Sequence, residues 1–166
     1  ETGPDGIALR DELLINDGSG SFERVVLEGE RPTHMGFDAV AFDWEVDGDQ
    51  DVWVVNDQGD RYGPNALWRT QDGVMTDGTD ECACGIMQSG MGADVGDYNN
   101  DGLPDLYGSA TSVNALLEGQ PDHTFLDVSL VTDASPLSGA GTMSWGAIFL
   151  DYDNDGREDL LVAEGD

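Results

Sequence analysis

The nine-residue stretch DWEVDGDQD, residues 43–51, is the first of three similar loops that decide the fold. The second is DYNNDGLPD, residues 97–105, and the third is DYDNDGRED, residues 151–159, so each begins 54 residues after the one before. All three place an acid or Asn at positions 1, 3, 5 and 9, and Gly at position 6. Calcium prefers oxygen ligands, and the calcium loop of EF-hands opens with the same spacing. The pattern predicts three calcium loops and so about three Ca²⁺ per chain.

An EF-hand itself is excluded by the residues after position 9. The EF-hand loop needs a bidentate Glu at position 12 and then a helix. Position 12 here is occupied by Val54, Gly108 and Val162, whose side chains cannot bind a cation. Short β-prone runs lie before and after each loop. We therefore expect each loop to connect the two strands of a hairpin.

A second hairpin is predicted in each repeat. Leu13–Val25, Ala66–Met75 and Ala115–Val128 each consist of a β-prone run, a turn rich in Gly or Asp and another β-prone run. Two hairpins in 54 residues fit one four-stranded antiparallel blade of a β-propeller. The sequence thus predicts an all-β fold of about three blades in an incomplete ring. The predicted segments are a second half-blade at 1–28, blades at 36–80 and 91–130, and a first half-blade at 144–166.

Three segments in front of the loops carry a family resemblance. Gly36–Asp43, Met91–Asp97 and Ser144–Asp151, each followed by its acidic loop, resemble the FG-GAP/VCBS repeats of integrin α-like propellers. Within this family, the sequence of these segments most resembles the subgroup that includes the cartilage acidic protein and its bacterial relatives. The resemblance implies that the loop joins the first two strands of a blade and that calcium binds there, near one rim.

Carried over by position, the resemblance implies a ligand set for each loop. The side-chain ligands would be Asp43, Glu45, Asp47 and Asp51 in the first loop, Asp97, Asn99, Asp101 and Asp105 in the second, and Asp151, Asp153, Asp155 and Asp159 in the third. The backbone carbonyls of Asp49, Leu103 and Arg157 would supply position 7. Glu45 departs from the usual Asp or Asn. The second loop has only three carboxylates at these side-chain positions, so we expect it to bind more weakly than the third.

The charge of the chain limits its partners. Its 35 acids against 6 bases, all Arg, give a formal net charge of −29. Such a chain repels nucleic acid and anionic membrane surfaces, so we expect neither as a partner. Nothing in the sequence approaches the roughly 18 apolar residues of a membrane span, so membrane insertion is not expected either.

The two cysteines indicate less about function and cellular location than the acidic loops do. Cys82 and Cys84 flank Ala83, and the spacing leaves open two free thiols, a local disulfide or, less favoured, a zinc site. Extracellular calcium concentrations suit loops of moderate affinity. We therefore expect a secreted or cell-surface protein.

Three blades cannot close a ring, which raises the question of what supplies the rest. Propellers rarely have fewer than about four blades. The favoured interpretation is that the chain is a piece of a longer protein. The alternative is a homodimer in which the opening strands 10–26 of one copy complete the closing strands 145–164 of another.

Function is expected to lie on the propeller faces, with calcium in a structural role. The first hypothesis is an adhesion or recognition module with an unknown protein or glycan ligand; the alternatives are a lectin-like propeller and the propeller of a polysaccharide lyase or hydrolase. We expect no enzyme, because His34 and His123 are the only histidines and no catalytic motif accompanies them. The connections 76–90 and 131–143 are the expected ligand surfaces. Trp44, Tyr98 and Tyr152 share loop position 2 and are expected to share one packing role.

Overall fold

Antiparallel strands form nearly all of the regular structure in the computed structural model, which describes residues 11–25, 27, 34–135 and 143–165. The all-β prediction is confirmed. The strands are β1 (Leu13–Asn16), β2 (Phe22–Val25), β3 (Gly36–Phe42), β4 (Asp51–Asn56), β5 (Ala66–Gln71), β6 (Val74–Asp77), β7 (Gly90–Gly96), β8 (Asp105–Ala110), β9 (Ala115–Gly119), β10 (Phe125–Asp127), β11 (Met143–Leu150) and β12 (Asp159–Gly165).

The strands group into four sheets in which each strand pairs with the next one along the chain. The first sheet is β1-β2, the second β3-β4-β5-β6, the third β7-β8-β9-β10 and the fourth β11-β12. These sheets are consistent with propeller blades, and the described residues form no closed ring. Of the half-blade predicted at 1–28, residues 1–10, 26 and 28 lie outside the described residues, as does residue 166 of the half-blade predicted at 144–166.

Neighbouring sheets pack face to face through their first two strands. β7 lies against β3 and β4, and β11 lies against β7 and β8. Side-chain carboxylates connect the first strands, since Asp38 Oδ2 accepts the Ala93 N–H at 3.0 Å and Asp94 Oδ2 accepts the Phe149 N–H at 2.6 Å. Each first strand is thereby held to the first strand of the following sheet.

The second strand of each complete sheet is the most buried. Side chains of a strand alternate between two faces; one face of β4 packs against β7 of the third sheet, and one face of β8 packs against β11 of the fourth. Trp53 on β4 and Tyr107 on β8 are completely buried. Gly108 makes room for Trp53, because a Cβ there would lie 3.0 Å from the indole Cη2. The apolar core therefore runs between the sheets.

Two short helices accompany the second sheet. These are α1 (Gly59–Tyr62), between β4 and β5, and α2 (Thr79–Cys82), after β6. Among the described residues no helix is long or apolar enough to cross a membrane. Cys82 and Cys84 form a disulfide and are completely buried, with the Cys84 carbonyl 3.3 Å from the Trp53 indole N–H that donates to it.

Candidate metal centres

The three acidic loops adopt one backbone form. The residues at position 4, Val46, Asn100 and Asn154, have φ of 55°, 56° and 61°. The glycines at position 6, Gly48, Gly102 and Gly156, have φ of 96°, 85° and 84°. Glycine adopts this left-handed region without steric cost, and Asn tolerates it better than most residues. The repeated Asn-Asp-Gly of the second and third loops therefore fits its backbone well, whereas the β-branched Val46 of the first loop does not.

The aspartate at position 1 organises each loop from inside. Its two carboxylate oxygens accept the backbone N–H groups of positions 5 and 6. The distances are 2.9 and 2.9 Å for Asp43, 3.0 and 3.0 Å for Asp97, and 3.0 and 3.0 Å for Asp151. These bonds curl the loop around one carboxylate, which brings the other acids toward it.

The aspartate at position 9 connects the loop to the sheet. Its Oδ2 accepts the N–H of position 2 in every loop, at 2.9 Å for Asp51, 3.1 Å for Asp105 and 3.2 Å for Asp159. In the two complete sheets its Oδ1 accepts a second N–H from the third strand, from Thr70 at 2.7 Å and from Gly119 at 2.8 Å. The fourth sheet has no described third strand.

The third loop gathers its acids most closely. Asp151, Asp153 and Asp159 each offer a carboxylate oxygen within 4.8 Å of the others, and the part of the chain that the structure describes holds no other such group of three acidic, His or Cys side chains. Asp155 lies beside them in sequence but its carboxylate binds the Arg157 guanidinium and the Arg157 N–H. Three predicted ligands of this loop are thus brought together, and the fourth is engaged by a cation.

A competing cation from the third strand lies beside the first loop. Arg69 on β5 donates from Nε to Glu45 Oε2 at 2.5 Å, and its guanidinium also stacks over the Trp44 ring at 5.9 Å from the centroid. Glu45 is therefore held by an ion pair at the position where the resemblance implies a ligand. Asp43 and Asp51 keep the same hydrogen bonds as their counterparts in the other loops.

In the second loop the acid at position 9 is buried. Loss of solvent raises the pKa of Asp105 to about 6, although hydrogen bonds from Gly119 and Tyr98 act in the opposite direction. Nearby Asp101 and Asp97 raise this pKa further by repulsion. Burial also raises the pKa of Asp51 in the first loop. A cation bound beside either carboxylate would favour its ionised form.

Two contacts between repeats escaped the sequence analysis. Glu158, at position 8 of the third loop, accepts the Asp97 N–H of the second loop at 2.7 Å. Trp44, at position 2 of the first loop, donates from its indole to the His123 carbonyl in the β9–β10 turn at 2.6 Å. Position 8 holds Gln50 and Pro104 in the other loops, so the repeat pattern gave no signal for the Glu158 contact.

Calcium fits the residues present. The donors that the loops offer are carboxylate, amide and carbonyl oxygens, which is the ligand type of a hard cation, and the third loop already gathers three of them. One ion would be held in each loop: by Asp43, Asp47 and Asp51 in the first, by Asp97, Asn99, Asp101 and Asp105 in the second, and by Asp151, Asp153 and Asp159 in the third. Ligation by these residues, and by Glu45, Asp155 and the carbonyls of Asp49, Leu103 and Arg157, stays a prediction.

Comparison with known proteins supports the repeat assignment. The model of the FG-GAP-like repeat family matches residues 43–108. This range contains the first and second acidic loops and strands β4, β5 and β6 of the second sheet. No curated protein matches the chain. The match and the four antiparallel sheets together indicate a module of the β-propeller type. The finer likeness to the cartilage acidic protein subgroup stays a prediction.

Proposed function

We propose that the chain is an extracellular calcium-binding β-propeller segment that serves as an adhesion or recognition module. The observation that carries the calcium part is the gathering of Asp151, Asp153 and Asp159 within 4.8 Å, in a loop whose backbone form recurs in two others. Like charges held this close repel one another unless a cation lies between them. About three Ca²⁺ per chain would offset this repulsion.

The role of the ion in this proposal is structural. Each loop joins the first and second strands of its sheet, so an ion bound there would hold two strands in register. An ion that binds only the folded chain stabilises it by about 2.7 kcal/mol at a hundred times its Kd. The position-9 aspartate extends this effect to the third strand, through the N–H of Thr70 or Gly119.

The recognition surface is assigned to the far rim, the end of the sheets opposite the acidic loops. Connections between second and third strands, and from one sheet to the next, lie at that end. They expose apolar side chains, namely Met87, Val113, Leu130 and Val131. Binding residues are often carried by loops on a rigid sheet scaffold. A protein or glycan ligand would bind there without contact to the calcium loops.

The extracellular location rests on the disulfide and the loops. A buried disulfide such as Cys82–Cys84 persists in oxidising compartments, and calcium at extracellular concentrations saturates sites of moderate affinity. We propose no catalytic role. His34 is buried with its Nδ1 3.3 Å from Asn56 Nδ2, and His123 lies in the β9–β10 turn with its carbonyl bound to Trp44.

Calcium titration by isothermal calorimetry tests the proposal. We expect about three equivalents per chain and a lower melting temperature in chelator. Asp153→Ala should remove one equivalent. Asp60→Ala is the matched control, because it deletes an exposed carboxylate outside the loops. A chain that binds no calcium, or an equal loss with Asp60→Ala, would contradict the assignment.

The recognition part needs a separate experiment. Arrays of glycans and of extracellular protein domains should identify a ligand whose binding is weakened at least tenfold by the double change Leu130→Ser and Val131→Ser. Leu126→Ser, an exposed leucine on β10, is the control. Binding that the control weakens as much as the double variant would place the surface elsewhere.

A further inference from the structure

Arg69, on the third strand of the second sheet, binds one of the predicted calcium ligands of the first acidic loop. We propose that Arg69 competes with calcium for the Glu45 carboxylate, so that the first loop binds calcium more weakly than the second. The inference rests on the proposed calcium binding and adds the residue that sets the affinity of one loop. A count of carboxylates gives the opposite order, because the first loop has four of them at ligand positions and the second has three.

The Arg69 side chain is held by partners on three sides. Its Nε donates to Glu45 Oε2 at 2.5 Å, its guanidinium lies 5.9 Å from the centroid of the Trp44 ring, and its Nη1 lies 3.6 Å from Glu81 Oε2. The side chains of Arg69 and Glu45 are only 24% and 20% exposed. Salt screens such a partly buried pair less than an exposed one. The pair therefore persists at physiological ionic strength.

The same place beside the second loop holds an acid. The N–H groups of Thr70 and Gly119 both bind the position-9 aspartate of their loop, so the residues before them, Arg69 and Glu118, correspond. Glu118 accepts the Tyr98 O–H at 2.5 Å and so engages loop position 2 rather than position 3. Among the described residues no arginine pairs with a carboxylate of the second loop. The two loops therefore differ in the charge that the third strand presents to them.

The third loop shows the same kind of ion pair without the shielding. Arg157 binds Asp155 within the loop, and the Arg157 side chain is 72% exposed. An exposed pair contributes little to stability, because water and salt weaken it. An ion that binds this loop therefore displaces Arg157 at a smaller cost than Arg69. Arg157 is the natural comparison for Arg69.

Glu81 offers Arg69 a second carboxylate. Glu81 lies in α2, and its side chain is 65% exposed. An ion that takes Glu45 leaves the guanidinium of Arg69 with Glu81 and the Trp44 ring. Coupling between two binding events is reciprocal, so calcium weakens the Arg69–Glu45 pair as much as the pair weakens calcium. Glu81 should therefore favour calcium at the first loop, because it receives the displaced arginine.

Without calcium, Arg69 supplies the first loop with positive charge. The predicted ligands there are four acids, Asp43, Glu45, Asp47 and Asp51, and like charges held together repel one another. Loss of Arg69 should therefore destabilise the calcium-free chain and strengthen calcium binding to the same loop. A residue with a purely structural role would change both in the unfavourable direction.

Calcium titration followed by ¹H–¹⁵N NMR measures the loops separately. The N–H groups of Gly48, Gly102 and Gly156 each bind the first aspartate of their own loop, so each glycine reports on one loop. In the unaltered chain Gly48 should respond at a higher calcium concentration than Gly102. A Gly48 response at the same or a lower concentration would overturn the proposal.

Arg69→Gln tests the competition. It should raise the calcium affinity reported by Gly48 about five- to tenfold and leave those of Gly102 and Gly156 within about twofold. In chelator the same variant should melt at a lower temperature than the unaltered chain. Arg69→Lys keeps the charge but not the planar fork, so it should fall between the two. A Gly48 affinity that Arg69→Gln lowers or leaves unchanged would contradict the competition.

Two other arginines are matched controls. Arg61→Gln deletes the same charge in α1, which follows β4 and so lies at the opposite end of the sheet from the first loop. It should leave the Gly48 affinity within about twofold. Arg157→Gln should raise the Gly156 affinity by less than Arg69→Gln raises that of Gly48. An equal gain at Gly48 with Arg61→Gln would mean that overall charge sets the affinity, which overturns the proposal.

Glu81→Gln tests the exchange of partners. It should lower the calcium affinity reported by Gly48 about twofold, because displaced Arg69 then lacks its second carboxylate. In the Arg69→Gln background the same change should have a smaller effect, since no guanidinium is left to receive. An equal effect in both backgrounds would show that Glu81 acts through its charge alone and would overturn the exchange.

The titration also separates this inference from the proposed function. No response from Gly48, Gly102 or Gly156 would overturn calcium binding and this inference together. Responses of all three glycines, with a Gly48 affinity that Arg69→Gln does not raise, would overturn this inference alone.

Discussion

Trp53 in the second sheet, Tyr107 in the third and Leu161 in the fourth occupy the same place in the repeat but not the same environment. The first two are completely buried and Leu161 is 55% exposed. The acids at position 9 differ in the same way, with Asp51 and Asp105 buried and Asp159 exposed. The repeat sequence sets the hairpin and its loop, whereas the next sheet and the third strand set what is buried. Substitutions at equivalent positions therefore separate the two contributions.

The largest contrast is expected at the position of Trp53. Trp53→Ala should lower the free energy of unfolding by about 3–5 kcal/mol, because it leaves a cavity between the second and third sheets. Leu161→Ala should change it by less than about 0.5 kcal/mol under conditions where the chain is monomeric, since an exposed side chain loses few contacts. Urea unfolding in calcium measures both.

Equal costs for these two substitutions would break the comparison. They would mean that the fourth sheet is packed as tightly as the second in the isolated chain. Near-zero costs for both would mean that the sheets do not share an apolar core.

A smaller contrast is expected at position 9. In calcium, Asp105→Asn should lower the free energy of unfolding by about 2–3 kcal/mol, since a metal site and a paired N–H are lost together. In chelator the same substitution should lower the free energy of unfolding by less than about 1 kcal/mol. Removing a buried charge is stabilising, and this offsets the destabilisation from the unpaired N–H. Asp159→Asn should show the calcium-dependent loss alone. Thermal unfolding of both variants in calcium and in chelator makes the comparison.

An Asp105→Asn cost that is the same with and without calcium would contradict a ligand role for this carboxylate. It would leave Asp105 as a connector between the loop and the third strand only.

The smallest effect is expected at loop position 4. Val46→Asn should stabilise the chain by about 0.5–1 kcal/mol, because Asn tolerates the left-handed backbone that a β-branched residue resists. Asn154→Val in the third loop is the reverse change and should destabilise by a similar amount. Thermal unfolding in chelator measures the effect of the backbone conformation on stability without a contribution from bound calcium. Destabilisation by Val46→Asn would show that the Val46 side chain has a contact of its own.

The hairpins and loops could be predicted because their signals are local. The Asp and Gly spacing dictates a turn whatever surrounds it, and the same N–H to carboxylate bonds form in all three loops. The alternating apolar residues on either side then specify strands. The all-β architecture follows from residues that are near one another in sequence.

Burial within the connections between strands could not be predicted, since it depends on residues that are far apart in sequence. In the connection 76–90, which stays a predicted ligand surface, Thr79, the Cys82–Cys84 disulfide and Gln88 are buried beside the core, and no local pattern in the sequence indicated this. The connection 131–143 is described only at 131–135 and at 143.

The aromatic residues at loop position 2 show the same limit. One packing role was expected for all three. Trp44 is buried and binds the His123 carbonyl of the next sheet, Tyr98 donates to Glu118 Oε2 at 2.5 Å within its own sheet, and Tyr152 is exposed. Their environments differ because the neighbours of the three sheets differ.

The number of calcium ions bound per folded chain tests the central claim most directly. Native mass spectrometry in dilute calcium measures this number together with the number of copies in the assembly. Three loops of one backbone form predict a folded chain that carries three Ca²⁺. A folded chain that carries no calcium would contradict the account and leave the loops as acidic turns.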